Sequence, residues 1–437
     1  MDKIINQLSD KISPFFIDDI IDNINDDIQF ILLGESTHGT KEFYEIRRDL
    51  TKQLIKNKNF NIILLETDWS NLYRVNRYIS RFFDSKDNTP VESLQDIKNF
   101  PTWTYRNNVI VSLIKFLKQH NLNQTVENQV YFLGIDCYNF FESYKWITHF
   151  LQIIDKNFYK QVLPHIKFIE QFQDIQSYIT YIIKNNKIEY IQQVYDKILS
   201  VLTWDKFDDY IKKCQELNID KFNVVSLEQS MEIIVNATEY FLKNYLEPPG
   251  SNSSWGCRDS HWLTTIMRLN DKMPAVNNRT TNKMIIWAHN SHIGNALHTE
   301  RGGIDFQKNE LFNIGQYIKS VYEQHKSLLI GFLTHTGSVT AANEWNQPST
   351  KFIVNDSIEE SVEHLFHKIC EKTQKKTFYI DFKKHPDILT DMIYQRYIGV
   401  IYKPQTELQS HYSKSIISKQ YDLAIFINET NELDYQV

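Results

Sequence analysis

The first residues that could do chemistry together lie in the stretch ILLGESTHGTKEFYEIRR, which runs from Ile31 to Arg48. Glu35 and His38 are three residues apart and follow an apolar run that ends at Gly34. A neutral imidazole can take a proton from water when a carboxylate orients its ring. The stretch therefore predicts a general base, His38, supported by a neighbouring carboxylate.

The elements on either side of this turn predict where the two side chains lie. The apolar run before Gly34 predicts a buried strand, and apolar residues at helical spacing predict a helix that begins near Thr40 or Lys41. Open α/β sheets place their ligand sites at the carboxyl ends of strands, in turns of this kind. We therefore expect Glu35 and His38 at the carboxyl end of a strand.

Four further apolar runs predict strands that also end in polar side chains. The five expected strands span Gln29 to Leu33, Phe60 to Leu65, Val130 to Ile135, Lys283 to Ala288 and Ser327 to Leu333. The polar residues that follow them are Glu35 with His38, Glu66, Asp136, His289 with His292, and His335. Parallel strands end along one edge of a sheet, so these side chains are expected to form a shared polar site.

The distribution of glycine and proline predicts how the rest of the chain is organised. Between Cys137 and Glu247 there is no glycine, and Pro164 is the only proline. Because these residues mark turns, their absence favours several long helices. We expect an α/β fold with a mostly parallel central sheet flanked by helices, formed by residues 1–137 and 250–437. Residues 138–249 are expected to form an all-helical insertion or cap. Shorter expected helices cover residues 101–121 and 258–269.

Further residues can be given roles beside the expected base. Glu66 is a second carboxylate for His38, and the guanidinium of Arg47 could neutralise an oxyanion or hold a carboxylate. His289 could be a second donor to the oxyanion or the acid for the leaving group. The residues expected to contact substrate are Glu42, Asp136, Arg258, His292 and His335.

Metal ligation remains the alternative at this stage. Imidazoles and carboxylates are good ligands for zinc or manganese, and six of them are available: Glu35, His38, Glu66, Asp136, His289 and His292. Residue types alone do not separate a metal-activated water from a His-activated one. We expect no resident cofactor, with a metal possible at the cleft of Glu35, His38 and His289. There is no GxSxG elbow, so the signature of that class of serine hydrolase is absent.

Bulk composition argues against several classes of protein. The formal net charge of the 437 residues is -6, whereas nucleic-acid binding needs clustered Lys and Arg. The four cysteines form no CxxC, which favours a reducing compartment. No stretch approaches the length of a membrane span, and the first residues lack the apolar core of a signal peptide. We expect a cytoplasmic protein that acts on a small molecule and has no nucleic-acid or membrane partner.

Motifs along nearly the whole chain resemble those of the erythromycin esterase family. Around the expected site they are GESTHGTKEF with Arg47, LLETDW, FLGID, the pair Arg258-Asp259, and WAHNSHIG. Beyond it they are GQYIKSVY, IGFLTHTGSVTAAN, IGVIYKP, SHY and QYDLAIFINET. The resemblance implies an α/β core with a helical elaboration and hydrolysis of a macrolide lactone, a form of antibiotic resistance, without a covalent enzyme intermediate.

The resemblance also implies roles for single residues. His38 would activate water, and the residues lining the same cleft would be Glu35, Glu66, Arg47, His289 and His292. After Arg258-Asp259 the chain continues with Ser260-His261-Trp262, where the family usually has a Met-Ala-x-Asn run. The insertion also shows little likeness to the resistance enzymes. Three hypotheses therefore stand: an esterase acting on a macrolide-like or another ester, such as a cell-envelope ester; a metal-dependent hydrolase; and a non-catalytic ligand- or metal-binding protein.

Overall fold

A computed structural model describes residues 2–81, 85–247, 252–302 and 312–435. Its strands are β1 (Ile12–Pro14), β2 (Phe30–Leu33), β3 (Ile62–Asp68), β4 (Tyr131–Asp136), β5 (Met284–Trp287), β6 (Ser327–Ala341), β7 (Thr350–Val354), β8 (Thr377–Asp381), β9 (Ile393–Arg396), β10 (Tyr412–Ser415) and β11 (Leu423–Thr430). Its helices are α1 (Asp2–Ser9), α2 (Ile17–Asp22), α3 (Lys41–Lys58), α4 (Trp69–Ile79), α5 (Pro90–Ser93), α6 (Asn108–Leu122), α7 (Phe140–Ile154), α8 (Lys156–Ile169), α9 (Ile175–Lys184), α10 (Ile188–Leu199), α11 (Trp204–Glu216), α12 (Phe222–Leu246), α13 (Asn252–Asn277), α14 (Asn290–Ile293), α15 (Ile314–Val321), α16 (Val362–Thr373), α17 (Glu407–His411) and α18 (Ile417–Gln420).

The central sheet has the strand order β1-β8-β11-β6-β2-β5-β3-β4. The six strands from β11 to β4 are parallel, whereas β8 runs antiparallel to β11 and β1 antiparallel to β8. Strand β7 pairs antiparallel with the second half of β6, and β9 and β10 form a separate ribbon. The expected α/β fold with a mostly parallel sheet is therefore confirmed.

Strand β2 shows why the sheet lies at the centre of the protein. All four of its residues are buried, and they alternate between two apolar clusters on opposite faces of the sheet. Phe30 and Leu32 belong to one cluster, and Ile31 and Leu33 belong to the other. Successive side chains of a strand point to opposite faces, so a continuous apolar run suits a parallel sheet covered by helices on both sides.

Between β4 and β5 the regular structure of the described residues is entirely helical. Helices α7 to α12 cover the described part of residues 138–249, where no strand occurs, and α12 packs on both α7 and α13. Trp69 at the start of α4 stacks on Phe222 at the start of α12, with ring centroids 5.8 Å apart. Residues 248–251, at the expected end of the insertion, lie outside the described ranges. The division into core and insertion stays a prediction.

Several elements differ from the sequence-based expectation. Strand β6 continues to Ala341, because its second half pairs with β7, so His335 lies inside a strand. Helix α6 begins only at Asn108, since the Asn107 side chain accepts the first free amides of that helix. Helix α13 runs from residue 252 to residue 277, which places Arg258 within a helix. Residues 12–14 form a short strand, β1, which pairs antiparallel with β8 and was not among the strands expected from the sequence.

Candidate functional site

Polar side chains from four neighbouring parallel strands converge on one cleft. The strands are adjacent in the order β2-β5-β3-β4, and each ends at the same edge of the sheet. The cleft has a volume of about 800 Å³. Its lining includes His38, Glu66, Asp136, Arg258, His289 and His292. The sheet order therefore brings together residues that are up to 254 positions apart in the chain.

Glu35 and Arg47 fix the orientation of His38. The Nδ1 atom of His38 lies 2.9 Å from Oε1 of Glu35, and Arg47 donates to the other carboxylate oxygen at 2.5 Å. Arg47 is itself buried on α3, against the rings of Tyr44 and Trp287. Because Nδ1 donates its hydrogen to Glu35, the lone pair of Nε2 is the one left for a proton.

The charges around His38 change its pKa in opposite directions. Burial lowers the pKa, but the carboxylate of Glu66 and the hydrogen bond to Glu35 outweigh it, and the net shift is upward. Nε2 of His38 lies 3.9 Å from Oε1 of Glu66. Burial also acts to raise the pKa of Glu66, yet the charges of His292, His38 and Arg258 hold it far below its usual range. Glu66 is therefore an ionised carboxylate beside the imidazole.

Arg258 joins two of the carboxylates. Its guanidinium donates to both carboxylate oxygens of Asp136, at 2.9 and 2.6 Å, and to Oε1 of Glu66 at 3.1 Å. Its Cζ lies 4.5 Å from the centroid of the Trp262 ring. Burial would lower the pKa of Arg258, but Asp136 raises it well above the ordinary value. The guanidinium is thus a fixed positive charge on the wall of the cleft.

His292 is held by Asp259 and Trp255, to which the sequence analysis gave no role, and by Arg258. Its Nδ1 lies 2.8 Å from Oδ2 of Asp259, and Trp255 stacks on its ring at 4.3 Å with an interplanar angle of 5°. Its Nε2 lies 3.1 Å from Nη1 of Arg258. Burial raises the pKa of Asp259, although His292 opposes this. The only sequence signal for Asp259 was its place beside Arg258 in a motif.

His289 lies beside His38, with ring centroids 4.8 Å apart. Its backbone amide donates to Oε2 of Glu66 at 2.8 Å, and its Nδ1 lies 2.8 Å from Oγ of Ser291. Its Nε2 is buried and has no well-formed hydrogen bond among the described residues. Burial, reinforced by His38, lowers the pKa of His289 well below its ordinary value. A neutral imidazole of this kind can donate a hydrogen bond to an oxygen atom in the cleft.

Two of the expected substrate-binding residues lie elsewhere. Glu42 accepts hydrogen bonds from the backbone and side-chain amides of Asn431, both at 2.8 Å. His335 lies 2.6 Å from Oγ of Ser357 and stacks on His367 with centroids 3.8 Å apart. Neither residue lines the cleft. Each is held elsewhere by contacts with residues that come after position 350 in the chain.

A second cavity of about 1140 Å³, here called the adjoining groove, opens beside the cleft. It is lined mainly by residues of α7, α9 and α12. Residues that line both cavities are Asp68, Asn99, Phe100, Tyr138, Tyr240, Asn244 and Trp345. The two cavities together are larger than the 300–1,000 Å³ or so of most small-molecule sites.

The donor set of the cleft fits a metal ion poorly. Each carboxylate already has a positive partner: Glu35 has Arg47, and Glu66 and Asp136 have Arg258. Within the ranges that the structure describes, no group of three or more His, Cys, Asp or Glu residues is arranged to hold an ion. The guanidinium of Arg258 already binds carboxylate oxygens of Glu66 and Asp136, and a metal ion would have to compete with it for them.

Comparison with known proteins decides the family. The family model described as erythromycin esterase matches residues 55–430, most of the chain. The chain belongs to the erythromycin esterase family. This confirms the resemblance seen in the motifs. The matched range includes Glu66, Arg258 and His289, while the turn carrying His38 precedes it.

Three solved structures share the fold. One, titled a succinoglycan biosynthesis protein, has a TM-score of 0.70 at 18% identity and covers 100% of this chain and 98% of its own. A Bacillus cereus protein has a TM-score of 0.71 at 16% identity, with coverages of 100% and 99%. A histidine-to-asparagine mutant of the erythromycin esterase EreC, in an open conformation, has a TM-score of 0.62 at 15% identity, with coverages of 96% and 95%. Among the helices that the structure describes, none is long and apolar enough to cross a membrane.

Proposed function

We propose that the protein is a carboxylic ester hydrolase that cleaves an ester or lactone with a water molecule activated by His38. The observation that carries the proposal is the orientation of this imidazole. Its Nδ1 is tied to Glu35, which leaves Nε2 beside the ionised Glu66 in the cleft. Membership of the erythromycin esterase family supports hydrolase chemistry at this site.

The proposed reaction balances without a cofactor. His38 Nε2 takes a proton from water, and the oxygen of that water forms a bond to the carbonyl carbon of the ester. The negative charge that develops on the carbonyl oxygen is stabilised by Arg258 and by the Nε2–H group of His289. The tetrahedral intermediate then collapses, the bond to the leaving oxygen breaks, and His38 returns its proton to that oxygen. The products are an alcohol and a carboxylic acid, which releases its proton to solvent at neutral pH and leaves as a carboxylate.

Electrostatic balance favours this route over a metal-activated water. A metal ion would need the carboxylates that Arg47 and Arg258 already neutralise. The charges of His292, His38 and Arg258 hold the pKa of Glu66 far below its usual range, which keeps an ionised carboxylate beside an imidazole that must gain and lose a proton. We therefore propose a His-activated rather than a metal-activated water.

The family name makes a macrolide lactone the first substrate to test. The large combined volume of the cleft and the adjoining groove suits a bulky ester of this kind. The four cysteines are all unpaired, which fits the proposed cytoplasmic location. Esters of other chemistry, polysaccharide esters among them, belong in the same screen because one structural relative is titled a succinoglycan biosynthesis protein.

The test is a hydrolysis screen in water enriched in oxygen-18, read by mass spectrometry. The screen would include erythromycin, simple nitrophenyl esters and acetylated sugars, each with and without a chelator. We expect one heavy oxygen in the carboxylate product, at a rate that the chelator leaves unchanged. Loss of activity with the chelator, restored by added metal, would contradict the His-activated route. Absence of hydrolysis with every ester would contradict the proposed function itself.

A further inference from the structure

Asp68 is a buried carboxyl group at the wall between the cleft and the adjoining groove. It is the last residue of β3, is 5% exposed, and lines both cavities. Its Oδ1 accepts hydrogen bonds from the backbone amides of Tyr138 at 2.6 Å and Asn139 at 2.9 Å. The reaction proposed above makes no use of this group.

The neighbours of Asp68 favour a carboxyl group that keeps its proton. Asp68 is the register partner of Asp136 on β4, so two acids lie side by side at the ends of adjacent strands. Arg258 forks onto Asp136 and donates no hydrogen bond to Asp68. The titratable and charged groups around Asp68 include Glu66, Asp136, Cys137, Tyr138 and Arg258 on the side of the cleft, and Tyr240, Glu142 and Lys145 on the side of the adjoining groove.

The energetic consequence is a carboxylic acid at neutral pH. Burial, with the charge of Asp136, raises the pKa of Asp68 to about 8, although the two backbone amides and Arg258 oppose the shift. Oδ1 then acts as the carbonyl oxygen that accepts both amides, and Oδ2 carries the hydrogen. A protonated acid is a hydrogen-bond donor, which an ionised aspartate cannot be.

The surroundings of Asp68 define what it could bind. Two pairs of aromatic rings line the same junction: Tyr138 with Tyr240, whose centroids are 5.1 Å apart, and Phe100 with Trp345, at 4.9 Å. Aromatic faces bind the apolar side of a ring, and polar groups between them fix its oxygen atoms. A second carboxyl group, that of Asp136, lies beside Asp68 and disfavours an anionic ligand at this position.

We propose that the junction is a second binding subsite for the ester substrate, in which Oδ2–H of Asp68 donates a hydrogen bond to a neutral oxygen atom remote from the scissile bond. The class of substrate is an uncharged ester that carries a hydroxylated or ether-containing ring. This inference rests on the proposed esterase function and extends it to substrate recognition. It makes Asp68 a binding residue, separate from the water-activating group.

The kinetic test compares Asp68→Ala and Asp68→Asn with wild type on erythromycin and on 4-nitrophenyl acetate, which carries no hydroxylated or ether-containing ring for the junction to bind. Loss of one hydrogen bond corresponds to about a tenfold rise in KM for erythromycin in Asp68→Ala. The rise for 4-nitrophenyl acetate should be much smaller. Asp68→Asn keeps an N–H donor, and its KM should stay within about threefold of wild type.

The pH dependence separates a hydrogen-bond donor from a structural group. Wild-type KM for erythromycin should rise as pH passes through about 8, where Asp68 loses its proton. Asp68→Asn cannot ionise and should lack that rise. The matched control is Asp220→Asn, since burial raises the pKa of Asp220 to about 7 and this residue lines neither cavity. That control should keep the wild-type profile.

An infrared measurement on the protein without substrate completes the test. The difference spectrum between wild type and Asp68→Asn at pH 7 should contain the carbonyl band of a protonated acid, and the band should vanish above pH 9. Absence of the band overturns the proposal. The proposal is also overturned if Asp68→Ala has the same KM for erythromycin as wild type. If wild type hydrolyses neither ester, the proposed function fails, and the infrared comparison alone decides the state of Asp68.

Discussion

Two groups of histidines in this protein differ in what surrounds them. His38, His289 and His292 lie in the cleft, in contact with Glu35, Glu66 and Asp259. The other group, here called the distal histidines, consists of His335, His364 and His367, whose ring centroids are 3.8 to 6.2 Å apart. Each group contains a histidine that the sequence places near the end of a parallel strand, whereas His364 and His367 lie on α16. Only the first has buried carboxylates beside its rings.

The carboxylates account for the difference in protonation. Glu66 and Glu35 raise the pKa of His38 in spite of its burial. Burial and the neighbouring His367 lower the pKa of His335 to about 4, because its acidic neighbour Asp356 is exposed and 3.7 Å away. A histidine after a strand is therefore weak support for a catalytic base. A histidine whose Nδ1 is fixed by a buried carboxylate, with Nε2 left for a proton, is much stronger support.

The largest difference between the two groups should appear in the rate of hydrolysis. Removal of a general base lowers the rate by about 10²- to 10⁴-fold, so His38→Gln should lose that much in kcat/KM. The matched control is His335→Gln, which should stay within about threefold of wild type. Both values come from initial rates on the best ester of the screen. Similar losses in the two variants would remove the distinction between the groups.

Each group also has an arginine paired with a carboxylate, and comparing the two arginines allows effects on stability to be separated from effects on activity. Arg258 joins Glu66 and Asp136, whereas Arg396 pairs with Glu407 at 2.8 Å beside the distal histidines. Replacement of either arginine by Met leaves a buried carboxylate without its partner. We expect a loss of about 3–5 kcal/mol in the free energy of unfolding for each, measured in urea.

Only Arg258→Met should also lower kcat, because only Arg258 lines the cleft. The comparison is made at a temperature where both variants are folded, as judged by circular dichroism. An unchanged kcat in Arg258→Met would remove this arginine from the oxyanion site.

Among the distal histidines, His335 should make the free energy of unfolding depend on pH. The pKa of His335 is lower in the folded protein than the ordinary 6.5, so the folded state favours the neutral ring. Stability from this group is fully present above pH 6.5 and is lost as pH falls towards 4. His335→Gln should therefore lose less stability than wild type between pH 7 and pH 4, by about 2 kcal/mol. Parallel stability curves for the two proteins would contradict this.

The smallest effect concerns the carboxylate that orients His38. The base must be neutral to act, so kcat/KM should rise as pH passes through the raised pKa of His38. Glu35→Gln removes one of the charges that raise it. The rise in kcat/KM should then move to lower pH. A midpoint that stays in place in this variant would mean that another group controls the rate.

The sequence was most informative where an apolar run ends in a polar residue. Such runs located β2 to β5, and the parallel order of these strands then brought Glu35, His38, Glu66 and Asp136 to one edge. Asp259 was not assigned a role because it lies inside α13, and its contact with His292 spans 33 positions of the chain. Such a contact depends on how a helix packs, which the local pattern does not contain.

His335 and Glu42 were misplaced for a related reason. The apolar run of β6 ends at Leu333, but the strand continues because β7 and β11 supply hydrogen-bond partners for TGSVTA. Glu42 follows the turn closely, yet its partner Asn431 is 389 positions away. Pairing between distant segments decides both positions. The resemblance to a family covered the turn but carried no information on these pairings.

The most direct test of the central claim is rescue of His38→Gly by imidazole. The substitution removes the ring and opens space next to Glu35 and Glu66, where a free imidazole can bind. If His38 activates the water, the variant should be inactive in ester hydrolysis and should recover part of its rate as imidazole is added, with a pH dependence set by the added base. Wild-type activity in His38→Gly without imidazole would contradict the account.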